Sequence, residues 1–149
     1  MYNKSQDQDN DCISDLLKYK NVGFVIQPFR AEIHQGEISV VATNGNIRYA
    51  IKRFPGILSS KLEPEYMDIN EIPGLVLEQT QLLLEFLTKK YNIPPKLCRI
   101  DFVKNDIIFE IMEVELIDPD LFFRHIPKNI LDQSLSDICD TGMNNNYNV

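Results

Sequence analysis

The sequence predicts an α+β fold, a mostly antiparallel sheet with packed helices, and three observations carry that prediction. Asn44-Gly45-Asn46 is a tight-turn signal between two apolar runs, Glu37–Thr43 and Ile47–Phe54, which makes 37–54 a β-hairpin. Leu75, Leu82, Leu83, Phe86, Leu87 and Tyr91 recur at helical spacing, so Leu75–Tyr91 reads as a helix. Two further strand-like runs, Leu97–Val103 and Ile107–Ile117, meet at Lys104-Asn105-Asp106.

In chain order, residues 1–12 are polar and expected to be disordered, with Asp7, Asp9 and Asp11 spaced by Gln and Asn. Ser14 is placed to cap a short helix, Ser14–Tyr19, and Val22–Phe29 follows as a strand closed by Pro28. After the hairpin, Pro55–Pro73 reads as a long irregular stretch, and connections of that length are often functional or mobile. Leu75–Tyr91 has Glu78 early and Lys89-Lys90 late, matching the helix dipole, and Pro94-Pro95 stops it. Beyond Pro127 the pattern weakens. Asn129–Cys139 is a candidate helix, and 128–149 is expected to be a weakly structured tail. A single body, 13–127, lies between the two ends.

Composition narrows the function classes. The 149 residues carry a net charge of −7, which argues against nucleic acid and anionic membrane as main partners, because both are read by basic patches. No apolar run approaches the roughly 18 residues of a membrane span. Three cysteines without a CxxC pair suggest neither a zinc site nor a disulfide framework, and imply reduced thiols in a cytoplasmic protein. His34 and His125 lie on unrelated segments and read as surface or loop residues.

The acidic strand is the most informative segment. Strand alternation puts Glu113 and Glu115 on one side, about 6.6 Å apart, where their like charges repel. A hard dication such as magnesium removes that repulsion, and Asp101 on the neighbouring strand offers a third oxygen ligand. Phe109 and Ile111 are expected on the same face, giving it an apolar end and an acidic end. A tight turn at Asn105-Asp106 would instead bring Asp101 beside Glu110; a bulged or odd-length connection brings it to Glu113. A solvated edge strand is the plain structural reading of the same pattern.

Arg99-x-Asp101-Phe-Val, followed by Met112-Glu-Val-Glu-Leu-Ile-Asp-Pro-Asp-Leu-Phe-Phe123, resembles the closing motif of ATP-grasp ligases, in the glutathione-synthetase-like and cycloserine-biosynthesis-like branch. The resemblance implies a fold like the C-terminal subdomain of an ATP-grasp domain, with magnesium held by Asp101, Glu113 and Glu115. Val25–Val41 is similar to the family's hinge strand, which implies that Gln27, Pro28 and Phe29 lie beside adenine and that Glu37 takes the ribose hydroxyls. Glu32 would be a further polar contact. Arg48–Gly56 resembles the strand that carries a basic residue towards the phosphates, and Lys52 matches it best. Arg99 would bind phosphate or hold the carboxylates in place.

The resemblance spans about Val22–Phe123, roughly half of such a ligase, without the first nucleotide-binding subdomain. It therefore implies the ATP- and magnesium-binding portion of an ATP-dependent carboxylate–amine or carboxylate–thiol ligase, acting on small molecules. A partner subunit would supply the missing half. The competing reading is a non-catalytic remnant that serves as an interaction module.

Overall fold

A five-stranded antiparallel sheet organises the described part of the chain, which in this computed structural model comprises Lys18, Asn21 and residues 28–54 and 63–140. Contacts divide the protein into two units, Met1–Arg30 and Ala31–Val149. The expected Ser14–Tyr19 helix and most of the Val22–Phe29 strand lie outside the described residues. So do residues 1–12 and 141–149.

The second unit runs from a short 3₁₀ turn, Ala31–Gln35, through β1 (Glu37–Thr43), β2 (Asn46–Arg53) and β3 (Glu65–Met67) to α1 (Gly74–Tyr91). It then continues through β4 (Leu97–Asn105), β5 (Ile108–Glu115) and α2 (Lys128–Cys139). The sheet order is β3-β2-β1-β4-β5. The β1–β2 turn uses Asn44 and Gly45, both at positive φ (50° and 78°), the conformation a two-residue turn between right-twisted strands requires. A Cβ on Gly45 would sit 2.8 Å from Pro94, so glycine is needed there for space as well.

Pro55–Pro73 is not irregular throughout. Glu65–Met67 pairs with β2 as an edge strand, and Ile69–Glu71 is a 3₁₀ turn closed by a capping box between Asp68 and Glu71. Residues 55–62 lie outside the described part.

Each face of the sheet has its own core. On one face α1 buries Val76, Thr80, Leu84 and Leu87 against Val40, Ala42, Ala50, Ile100 and Phe102. Each such buried aliphatic side chain contributes about 1.5–3 kcal/mol. The helix is where the sequence put it; of the six residues that marked it, Leu83 and Leu87 pack on the core, whereas Leu75, Leu82, Phe86 and Tyr91 are exposed. Asn92, at φ 59°, ends the helix in the left-handed conformation ahead of Pro94.

On the opposite face α2 packs Ile130 and Ile138 against Val41, Tyr49, Ile51 and Leu121. The segment 128–139, expected to begin a weak tail, is held as a helix by this stripe and by Asp137. That carboxylate pairs with Arg48 and accepts from the Thr43 hydroxyl at 2.6 Å. This second face is thus apolar and covered near Thr43 and Leu97. Towards Glu37 and Asp101 it becomes charged.

Candidate functional site

Two one-residue bulges decide which side chains meet at the charged end. In β1–β2 the register passes from Ala42↔Ile47 to Val41↔Tyr49, leaving Arg48 as the extra residue and bringing Arg53, not Lys52, opposite Glu37. In β4–β5 it passes from Phe102↔Ile111 to Asp101↔Glu113, with Met112 extra. Paired residues share a face, so Asp101, Glu113 and, through Arg99↔Glu115, Glu115 all lie on one side. Carboxylate oxygens of these three residues come within 4.8 Å of one another.

Two arginines lie among them. Arg99, 5% exposed, donates Nε to Asp101 Oδ1 and Nη2 to Asp101 Oδ2, both at 3.0 Å, and pairs with Glu115. Its Nη1 donates to the Asp120 carbonyl at 3.3 Å. Arg53 donates Nη2 to Asp101 Oδ2 at 2.7 Å and Nε to the Ser39 hydroxyl at 2.9 Å, and its Nε lies 3.3 Å from Glu37 Oε2. Asp101 is 1% exposed and Glu37 6%, whereas the Glu113 side chain is 57% exposed.

Burial raises the Glu37 carboxyl above its ordinary pKa; Arg53 opposes that rise and the Asp101 charge adds to it. Burial alone would lower the Arg99 pKa. The hydrogen bonds and charge of Asp101, with Glu115 and Glu113 behind, outweigh burial and hold it above the ordinary arginine value. Phe122 covers both guanidiniums, with ring-centroid distances of 6.0 Å to Arg53 and 5.8 Å to Arg99. It does so from a left-handed backbone conformation, φ 55°, rare for an aromatic residue and fixed from outside by Tyr49, whose hydroxyl donates to the Leu121 carbonyl at 2.6 Å.

No family model matches the sequence, and no curated protein matches it. Solved structures do match its shape. D-cycloserine synthetase superposes with a TM-score of 0.58 at 18% identity, over 74% of this chain and 40% of its own. D-alanine–D-alanine ligase from Bacillus anthracis, in its complex with ATP, gives a TM-score of 0.52 at 18% identity, over 93% of this chain and 46% of its own. The fold is shared with part of each of these two proteins. The chain spans less than half the length of either ligase.

On this scaffold the residues singled out by sequence are only partly assembled. Glu37, Arg99, Asp101, Glu113 and Glu115 converge on one face. Lys52 does not join them: it pairs with Ile38 on the α1 side, with Nζ 5.3 Å from the Phe54 ring centroid, because the Arg48 bulge turns it away. Arg53 occupies the position expected of it. Phe109 and Ile111 likewise lie across the sheet from Glu113, Phe109 packing into the α1 core. Glu110 pairs with Val103, accepts from Asn105 Nδ2 at 2.7 Å and is not among the clustered carboxylates. Glu32 lies in the Ala31–Gln35 turn. Gln27 lies outside the described residues, and Pro28 and Phe29 are exposed residues of the first unit.

Arg53 and Phe122 are the two members that sequence reading missed. An alternation rule applied with the bulge in place would have found Arg53. Nothing local marks Phe122, whose position depends on Tyr49.

The donor set fits a divalent cation. Four carboxylates, Glu37, Asp101, Glu113 and Glu115, face two guanidiniums, leaving two unbalanced negative charges and only hard oxygen donors. Glu113 is the most open of them, and each carboxylate keeps lone pairs beyond those the arginines use.

Proposed function

We infer that this protein binds ATP with magnesium on the charged end of the sheet and supplies half of an ATP-dependent ligase site. Asp101, Glu113 and Glu115 hold the cation, Arg53 and Arg99 take phosphate oxygens, and Glu37 accepts from the ribose hydroxyls. Base contacts by Gln27, Pro28 and Phe29 rest on sequence resemblance alone. The observation that carries the reading is the meeting of three carboxylates with two carboxylate-anchored arginines, buried Arg99 and part-exposed Arg53, on one face of a fold shared with ATP-dependent ligases.

ATP, when bound, supplies the phosphoryl group that activates a carboxylate towards an amine or thiol. The chain's own contribution is positioning and electrostatics. Arg99 is preset: Asp101 fixes the orientation of its guanidinium at the site. Arg53 is the adjustable cation, since its Asp101 and Glu37 contacts can be exchanged for phosphate. Phe122 screens both from water on one side, which strengthens their interaction with an anion.

A partner subunit or further chain would complete the clasp on the nucleotide. The second reading, a non-catalytic module that keeps the fold, shares these contacts but lacks turnover. The setting proposed is cytoplasmic. No helix among the described residues is long and apolar enough to cross a membrane.

Calorimetry with magnesium and a non-hydrolysable ATP analogue tests the reading. Binding is expected for the wild type and for Lys52→Ala. It should fall at least about tenfold for Arg53→Ala and for Glu113→Ala/Glu115→Ala, a change of about 1.4 kcal/mol. Absence of binding by the wild type, or undiminished binding by the Glu113/Glu115 variant, overturns it.

A further inference from the structure

Among the described residues β5 is an edge of the sheet, and that edge with the flank of α1 beside it forms a surface of which the nucleotide reading uses only Glu113 and Glu115. Ile111 and Val114 are 43% and 38% exposed on the α1 side of β5. Along α1, Leu75, Leu82 and Phe86 are exposed at 50%, 60% and 57%, at spacings that place them in one stripe with Gln79. Gln79 donates Nε2 to the Phe109 carbonyl at 3.2 Å, which fixes that stripe along β5, and Tyr91 and Leu116 line one cavity at its far end. Isolated exposed apolar residues need no explanation; five in one strip beside a strand edge that pairs with no other described strand do.

Backbone geometry adds a second feature. From the two-residue turn at Asp106-Ile107, alternation points the N–H and C=O groups of Phe109, Ile111 and, past the bulge, Val114 away from β4. The Gln79 contact uses one of these carbonyls. The rest form the kind of edge to which another strand can be added.

Charge then selects the occupant. The opposite side of β5 carries Glu110, Glu113 and Glu115. A second copy pairing through β5 would set these three against three like carboxylates, which is repulsive. An extended segment with apolar side chains on one side and lysine or arginine on the other would satisfy both sides at once.

We propose that the β5 edge, together with Leu75, Leu82 and Phe86, docks a β-strand of a partner protein in which apolar and basic residues alternate. The added strand lengthens the sheet by one, lays its apolar residues over Ile111, Val114 and Phe86, and pairs its cations with Glu110, Glu113 and Glu115.

Fluorescence anisotropy tests this on the full chain, without metal or nucleotide, so the result is separable from that of the ATP reading. The probe is a labelled peptide of alternating valine and lysine, and the control is a peptide of the same composition in scrambled order. The alternating peptide is expected to bind at least about tenfold more tightly than the control, and to weaken as salt is raised. Val114→Pro, which removes an outward N–H while sparing the β4 ladder, should abolish the difference between the peptides. Should that variant fail to fold, Phe86→Lys provides the same test from the helix side. Equal binding of the two peptides, no binding of either, or binding unchanged in the variants overturns the proposal. Concentration-dependent dimerisation through this edge, seen by light scattering and lost in Phe86→Lys, also overturns it in favour of a second copy.

Discussion

Asp101 is the keystone of the charged end, and Asp101→Asn is the perturbation that measures it. The substitution keeps the shape but removes the charge that receives three N–H groups: Arg99 Nε at 3.0 Å, Arg99 Nη2 at 3.0 Å and Arg53 Nη2 at 2.7 Å. Breaking a buried ion pair typically costs about 3–5 kcal/mol when the remaining charge is stranded. Here neither arginine is stranded. Arg99 keeps Glu115 and the Asp120 carbonyl, and Arg53 keeps Glu37 and Ser39. Charged hydrogen bonds contribute about 1.5–3 kcal/mol each, and the asparagine carbonyl recovers part of them, so the net loss is about 2–4 kcal/mol. Urea unfolding reads this as a midpoint lower by about 1–2 M at an ordinary slope. The Asp101→Asn/Arg53→Met double variant should lose at least about 1 kcal/mol less than the sum of the single losses, because the two residues touch. A midpoint within about 0.3 M of wild type at unchanged slope would refute the view that Asp101 holds this end together.

Three other outcomes follow from the same structure. The Glu37 carboxyl has a folded pKa above its ordinary value of 4.5, so ionising it costs stability as pH rises from below 4.5 through the raised value. Glu37→Gln should therefore gain on wild type as pH climbs through that window, in urea midpoints taken at a series of pH values. Tyr49→Phe strands the Leu121 carbonyl and should cost about 1–3 kcal/mol, with faster amide exchange around Leu121 and Phe122 than elsewhere in the sheet. Burial pushes the Cys98 thiol up to about 11, while Cys139 is exposed. In a Cys12→Ser background a thiol reagent should label Cys139 promptly and Cys98 only on unfolding.

The parts of the fold that were legible in the sequence are those whose signals are local. Turn chemistry at Asn44-Gly45 marked the first hairpin, and apolar spacing marked α1 to within a residue. The inward side of α1 was not legible, because Leu75, Leu82 and Phe86 are as apolar as the residues that face the sheet. β3 is three residues long and exists through its pairing with β2, which no local pattern announces. The docking of α2 depends on Arg48 and Asp137, far apart in the chain. Within the site, residue types were readable, and so was the bulged connection that brings Asp101 to Glu113, but the phase of β2 was not. One extra residue at Arg48 exchanges Lys52 for Arg53, and one at Met112 carries Glu113 and Glu115 to the side of Asp101. A bulge reverses every later side chain, so the assignments turned on two positions that carry no chemistry themselves.

The guanidinium pair has a consequence for how the proposed cation site stands when empty. In many acidic pockets the empty state is electrically frustrated and the metal is needed for folding. Here the chain brings its own counter-ions: Arg53 and Arg99 offset part of the repulsion, so chelation should lower the melting temperature only by the ion's own binding free energy and leave the chain folded. On the proposed reading an arriving ion would compete with Arg53 for Asp101, and occupancy would be coupled to release of that contact.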